Sequence, residues 1–481
     1  MPRAGAIMWF RTDLRIDDNP ALRAAVESSD EVVCAYVFAP EDEGPWAPGD
    51  ASRRWLARSL AALDTGLRER GAGLVLRCGP TVDALKALCA ETGARTVYMG
   101  RRHEPLAARH DARVMEALRD EGIVTRVFET ALLHDPGSLL TSSGTPYKVF
   151  TPFFRTAERL GHPRPPGPGP ERIPGPSRLP RSEPVTTVEP RATVAAPGIA
   201  AWWSPGEHGA KERLRAFLAS GLGAYAEERD RPDRAGTSRL SPHITFGEID
   251  TRTVLAAARE AAAADERLAR GADAFIRQLY WREFAYHLLH HFPHTAERPL
   301  RTRFEVFPWS RDDAGLMAWQ RAETGYPIID AGMRELAETG WMHNRVRLLV
   351  ASFLTKDLLL PWLEGARWFW TSLVDADLAD NTLGWQWVAG CGADAAPYFR
   401  VFNPVTQGER YDPEGAYVRR WLPELTRIPS RWIHRPWEAP AETLRAAGVR
   451  LGGTYPHPII DHAEARKRAL ALYDALRAGK E

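Results

Sequence analysis

The chain is predicted to fold as an α/β domain built on a parallel sheet, joined by a long connector to an all-α domain. Three observations predict it. Short apolar runs alternate with amphipathic stretches over residues 1–132. Ten prolines fall between Gly161 and Pro190. Beyond about Trp202, helical periodicity continues with no strand pattern in between.

The strand-like runs are Ala6–Phe10, Glu31–Phe38, Leu74–Leu76, Thr96–Met99 and Val124–Phe128. Between them lie the helical stretches Pro20–Ser28, Ser52–Arg70, Val82–Thr92 and Leu106–Asp120. Short buried strands alternating with helices make right-handed crossover units and a parallel, Rossmann-like sheet. No GxGxxG follows the first run, so no dinucleotide site is read there, although ligands of such sheets sit beyond the strand carboxyl ends. Residues 133–204 read as a proline-rich spacer or surface-wrapping connection without chemistry of its own. From 205 to 481, the stretches Thr253–Arg270, Ala272–His291 and Met342–Leu359 read as helices punctuated by proline and glycine.

Composition narrows the function. The chain has 481 residues, 44% of them hydrophobic, enough for two domains with substantial cores. A net charge of +1 leaves any nucleic-acid surface to a local patch. The cysteines Cys34, Cys78, Cys89 and Cys391 include no CxxC pair. That argues for a reducing compartment and against a disulfide framework and a cysteine-ligated metal or iron–sulfur site. No N-terminal signal pattern is present, and apolar runs such as Leu348–Leu354 are far too short for a bilayer. A cytoplasmic protein without membrane contact is expected.

Three segments carry candidate chemistry. Gly236-Thr237-Ser238-Arg239-Leu240-Ser241-Pro242 is dense in small donors ahead of a plausible helix. It reads either as a phosphate cradle or as ordinary helix capping. Phe275, Gln278, Trp281 and Arg282 fall on one helical face, half aromatic and half polar: the wall of a pocket for a planar ligand, or a mixed helix interface. Asn344 and Arg347 share a face, and Asp375 or Asp377 further on could pair with Arg347.

At this point the motifs become specific. Trp9-Phe10-Arg11-Thr12-Asp13-Leu14-Arg15 with Asp18-Asn19-Pro20-Ala21-Leu22 resembles the opening signature of the photolyase/cryptochrome family. So do the TSRLSP segment, the run from Gly325-Tyr326-Pro327 to Trp341-Met342-His343-Asn344-Arg345, and the run from Gly384-Trp385-Gln386-Trp387 to Phe399-Arg400-Val401-Phe402-Asn403-Pro404. The resemblance covers nearly the whole chain. It implies an antenna domain followed by a helical FAD domain, and light-driven repair of cyclobutane pyrimidine dimers in DNA.

By position, the resemblance places Tyr225, Arg234, Thr237, Ser238, Arg239, Leu240 and Ser241 on the phosphates and ribityl chain of FAD. It places Phe275, Gln278 and Arg282 along the pocket, and Asn344, Arg347, Asp375, Asp377 and Asn381 around the flavin ring. Trp281 and Trp387 would wall the lesion pocket, with Arg229, Arg345 and Arg400 on DNA phosphates. Trp385, Trp362 and Trp309 match the family's electron-transfer chain. A second, antenna chromophore is implied, methenyltetrahydrofolate or a deazaflavin, and the stretch from Arg101 to Asp111 sits where its pocket could be. The expected partner is UV-damaged DNA, met by a monomer at the nucleoid without an obligate protein partner.

Within the family, Asn381 stands where plant-type cryptochromes carry an aspartate, and an amide has no acidic proton to give. Six-four photolyases carry histidines at the positions of Asn344 and Leu348. The text around Pro308-Trp309 and Ala389–Pro404 is similar to the class III dimer photolyases. Two departures stand out: dimer photolyases usually carry glutamate at Gln278 and methionine at Leu348. They leave a cryptochrome-like blue-light photoreceptor as the alternative.

Overall fold

The computed structural model describes residues 5–161, 167–190, 196–394 and 399–479. Parts of the connector (162–166, 191–195) and of the Ala389–Pro404 run (395–398) lie outside the described residues.

The strands are β1 (Ala6–Phe10), β2 (Val32–Phe38), β3 (Leu74–Cys78), β4 (Thr96–Gly100) and β5 (Val124–Phe128). They form one parallel sheet in the order β3-β2-β1-β4-β5. The helices between them are α1 (Pro20–Ser28), α2 (Asp50–Glu69), α3 (Thr81–Thr92) and α4 (Pro105–Asp120). Because strand side chains alternate, Ala6, Met8 and Phe10 bury against α1 and α2, while Ile7 and Trp9 bury with α3 and α4 on the other face. The chain leaves β1 in both directions, so the strand carboxyl ends open at a switch point beside β1.

The connector is more than a spacer. It contains α5 (Phe150–Arg159), whose Phe150, Phe153 and Ala157 join a core of the helical part. Amphipathic spacing explains the helix; the surrounding prolines obscured it. The connector then crosses to the sheet, where Ile173 and Val188 join the core. The Glu183 N–H donates to the Leu76 carbonyl, and the Leu76 N–H to Ser182 Oγ. The outer edge of β3 is thereby covered, which removes an open template for strand pairing.

The helical part begins with α6 (Ile199–Trp202), α7 (Glu207–Ser220), α8 (Tyr225–Glu228), α9 (Ser241–Thr245), α10 (Thr251–Ala264) and α11 (Ala269–His291). There follow α12 (Asp313–Gln320), α13 (Pro327–Thr339), α14 (Asn344–Ser352), α15 (Trp362–Ser372) and α16 (Leu378–Ala389). It closes with α17 (Pro404–Tyr411), α18 (Ala416–Trp421), α19 (Ala441–Ala447) and α20 (His462–Ala478). The periodic stretch Thr253–Arg270 is not one helix: α10 ends at Ala264, and the Asp265 carboxylate caps a new turn by accepting the Arg267 N–H. Met342–Leu359 also divides, into α14 and a wider π turn over Phe353–Asp357. Two apolar cores result, one built on α5, α7, α10 and α11, the other on α12 to α16 and the C-terminal helices.

The two parts are bolted together. Arg15, almost fully buried, pairs with Asp250 at 2.8 Å and donates to the carbonyls of Gly247 and Thr130. Trp55 donates to Glu248 at 2.8 Å, and Trp370 to the Ala47 carbonyl at 2.7 Å. Gly49 lies so close to α15 that a Cβ would stand 2.5 Å from Thr371 Cα, so only glycine fits there. Among the described residues no helix is long and apolar enough to cross a membrane, and no group of three metal-ligating side chains forms.

Candidate cofactor and nucleic-acid site

The site lies at the seam between the two helical cores, where α11 and α14 both pack on α16. Helix α16 supplies its centre. The Asp377 carboxylate caps the helix by accepting the Ala379 and Asp380 N–H groups at 2.9 and 3.0 Å. It also accepts the Tyr286 hydroxyl at 2.7 Å and faces Arg282 at 3.7 Å. One turn on, Asn381 donates its Nδ2–H to the Ala366 carbonyl at 3.0 Å, leaving Oδ1 as the group it presents. Trp385, four residues later, is buried against Phe369, 5.0 Å between ring centroids. A Cβ on Gly365 would meet the Trp385 ring at 2.0 Å, so this glycine lets α15 and α16 approach.

Helix α14 faces this centre. Arg347 Nη2 donates to both carboxylate oxygens of Asp375, at 2.8 and 3.0 Å, and its Nε–H donates to the Met342 carbonyl. His343 caps α14 by accepting the Arg345 N–H; burial, reinforced by three neighbouring arginines, pushes its pKa down to about 3, so the ring is neutral. Asn344 is exposed, and its amide has no partner among the described residues. Arg239 adopts φ +51 and lays its guanidinium over Trp341 at 4.8 Å, while Trp341 donates to Ser241 Oγ. Ser238 Oγ accepts the Leu240 N–H, and the half-buried Thr237 hydroxyl has no partner among the described residues.

From α11, Gln278 donates to the Ala274 carbonyl and accepts from Arg229 at 3.2 Å. Trp281 is half-buried and stacks on Phe150, with centroids 3.9 Å apart and planes 6° from parallel. Trp387 is also half-buried and donates its indole N–H to the Asp394 carbonyl at 3.1 Å.

Some residues sit differently from the expectation. Phe275 and Leu240 are core residues: Phe275 packs on Phe217 and Tyr225, and the Leu240 side chain joins the same core. They back the wall rather than form its surface. Arg345 is paired with Asp230 at 2.9 Å and stacked over Tyr411, and Arg229 is engaged by Gln278, so neither stands out as a bare surface cation. Arg234 is exposed beside Asp233, and Arg400 lines a small hollow with Trp387 and Phe402. Trp362, Trp385 and the half-buried Trp309 belong to one core cluster.

Sequence reasoning missed Asp380. Its carboxyl is accessible to water, yet hemmed in by protein. Burial, with Asp377 and Asp375 beside it, raises its pKa against the pull of Arg282 and Arg347. Its position three residues after the capping Asp377 was the available signal. The partners of the two indoles, Phe150 and Asp394, were missed as well, because they are distant in sequence.

A second cleft opens where the strand carboxyl ends meet the helical part. Tyr36, Trp46, Arg102, Tyr286 and Trp370 are among its walls, and Arg282 and Asp377 reach it from the other side. Arg102 is held by Glu43 and Glu104, and His103 by Glu129 at 3.0 Å.

The donor set of the seam suits a flavin dinucleotide. Hydroxyls and a left-handed arginine turn offer themselves to a diphosphate, and fixed amides, a carboxylate–guanidinium pair and aromatic backing to a polar ring edge. Comparison with known proteins agrees. Residues 6–171 match the DNA photolyase family model, and residues 275–475 the FAD binding domain of DNA photolyase. A deoxyribodipyrimidine photo-lyase of Agrobacterium fabrum is 45% identical over 98% of both chains. Cryptochrome-1 of Arabidopsis thaliana is 39% identical over 98% of this chain and 70% of its own. The crystal structure of a class III photolyase from Agrobacterium tumefaciens superposes with a TM-score of 0.93 at 45% identity, covering 99% of this chain and 98% of that one. The chain therefore belongs to the photolyase/cryptochrome family, with an FAD-binding helical domain and an N-terminal parallel α/β domain.

Proposed function

We propose that this chain is a deoxyribodipyrimidine photolyase of the class III type, which repairs cyclobutane pyrimidine dimers in UV-damaged DNA under blue or near-ultraviolet light. One observation carries the reading. Two half-buried indoles, Trp281 on α11 and Trp387 on α16, are each fixed by a neighbouring partner, and the side chains of Asn344, Thr237 and Asp380 have no hydrogen-bond partner among the described residues. Held by this site, reduced FAD would supply the light-excited electron and accept it back, which would let the cyclobutane carbon–carbon bonds open with no net redox change.

The chain's own residues bind, orient and exclude water. Thr237, Ser238, Ser241 and Arg239, with Arg234 and the Leu240 backbone, hold the diphosphate, and Tyr225 closes that end over Phe275. Arg347 with Asp375, together with Asn344, Asp377 and Arg282, fixes the ring. Asn381 presents an amide oxygen and has no acidic proton to release, which favours the reduced, anionic state needed for donation. Trp281 and Trp387 clamp a dimer flipped from the duplex, with Gln278 and Asn344 beside it. Arg229, Arg345 and Arg400 grip phosphates, which gives sequence-independent, salt-sensitive binding. Arg229 and Arg345 do so by exchanging their present partners. Trp385, Trp362 and Trp309 carry electrons inward when the flavin is oxidised.

The interdomain cleft is proposed to hold the antenna chromophore, since it has aromatic walls at the sheet's ligand-binding end. Residues 1–132 then form the antenna domain, 133–204 the connector and 205–481 the catalytic domain. The protein works as a cytoplasmic monomer on nucleoid DNA. Gln278, in place of a carboxylate, favours a second reading as a cryptochrome-like photoreceptor.

The deciding experiment illuminates pre-reduced protein with DNA carrying a thymine dimer. Two thymines should be restored in light and none in darkness. Trp281→Ala should weaken lesion binding by the roughly 1–3 kcal/mol that one stacking wall contributes. Protein that holds FAD, binds damaged and intact DNA alike and repairs nothing would establish the photoreceptor instead.

A further inference from the structure

The walls of the lesion slot are joined at the back by a segment that the proline-rich connector brings in. Phe150 lies flat on Trp281, and its other surroundings include Arg277, whose guanidinium is 4.7 Å from the Phe150 centroid and 5.0 Å from that of Phe154. The Trp387 indole donates to the Asp394 carbonyl at 3.1 Å. Asp394 in turn donates its N–H to the carbonyl of Lys148, two residues before Phe150, at 3.0 Å, and its carboxylate feels the charge of Arg277. Asp394 holds φ +48, a left-handed conformation that costs a non-glycine residue free energy and persists only where its surroundings demand it. Two backbone contacts meet there: its carbonyl accepts from Trp387 and its N–H donates to Lys148. A path from Trp281 to Phe150, two residues back along the chain to Lys148, and from the Lys148 carbonyl through Asp394 to Trp387 therefore links indoles carried on two different helices, α11 and α16.

We infer that Phe150 and Asp394 are positioning residues that set the spacing of the two indoles, and through it the selection of a covalently joined pyrimidine pair over intact bases. This rests on the lesion-slot reading above. A slot whose walls sit on separate helices keeps a fixed width only if something holds both. Relaxing it should cost affinity for the lesion and leave the remote flavin residues untouched. Neither Phe150 nor Asp394 is expected to meet the reacting bonds.

The test measures binding of flavin-loaded protein to a duplex with one thymine dimer and to the same duplex intact. Phe150→Leu should lower the ratio of the two affinities at least about tenfold, which is 1.4 kcal/mol. The loss should fall on the damaged duplex. Phe150→Tyr, which keeps the stacking ring, should restore the ratio. Asp394→Gly retains the left-handed backbone and removes only the carboxylate, so it should give a smaller loss in the same direction. FAD content per chain, the visible spectrum and the rate of light-driven flavin reduction should match wild type, which separates a displaced wall from a misfolded domain. Trp281→Ala serves as the reference. If it loses discrimination while Phe150→Leu and Asp394→Gly keep it, the positioning role is wrong. If Trp281→Ala also keeps it, the slot reading is wrong and this inference falls with it.

Discussion

Glu283→Gln tests the electrostatics of the joint between connector and helical domain. Glu283 is only 3% exposed. Its Oε2 accepts the Leu133 and His134 N–H groups at 3.0 and 3.2 Å, while Oε1 is buried with no partner among the described residues. Burial pushes its pKa up from 4.5 to about 7, against the lowering influence of Arg282 and the two N–H donors. The folded state therefore holds a proton that the unfolded chain releases at lower pH. The stabilisation is complete below the unfolded pKa and is lost as pH rises through the folded value. At about 1.4 kcal/mol per unit, the total is about 3 kcal/mol, most of it lost between about pH 5 and pH 8. For 481 residues unfolding as one unit, with about 2.1 cal/mol/K of entropy per residue, this amounts to about 3 °C in melting temperature. Glutamine keeps an oxygen for both N–H donors and cannot ionise. The assay is thermal unfolding of both proteins at the two pH values, followed by tryptophan fluorescence. Other titrating groups are shared and cancel in the difference of differences. Wild type should lose about 3 °C more than the variant on going to the higher pH. Equal losses would mean that the carboxyl is not held protonated, and the reasoning would fail.

Other perturbations reach the site directly. Asp375→Ala strands Arg347 in a largely buried position, a change of about 3–5 kcal/mol for a buried pair, and should strip most of the FAD, read from visible absorbance per chain. Trp385→Phe should slow light-driven flavin reduction by an external reductant, measured by absorbance, while repair by chemically pre-reduced protein continues; unchanged photoreduction would mean another route. Gln278→Glu places a carboxylate against Arg229 and beside the lesion, and should raise the repair yield per absorbed photon while changing dimer affinity by less than about tenfold.

The order of strands and helices was legible in the sequence because it depends on local periodicity. An apolar run of five residues between turn signals makes a buried strand wherever it lies, and β1 and β5 have the bounds read from the sequence. The short polar segment around Thr237 and the Asn344–Arg347 spacing were legible for the same reason. The pairing of Arg347 was legible only as a choice between Asp375 and Asp377. The tertiary structure resolved it, giving Asp375 to Arg347 and leaving Asp377 to cap α16 and accept from Tyr286. The helix α5 inside the connector was hidden by its prolines, and the break at Asp265 by an unbroken run of helix-forming residues. Farthest from the sequence lay the contacts on which the site's shape depends. Phe150 meets Trp281, and Asp394 meets Trp387 and the connector, only because α11, α16 and α5 pack together. Periodicity says which face of a segment is apolar, but the partner on that face follows from how all the segments share one core, and that is decided only when the chain is folded.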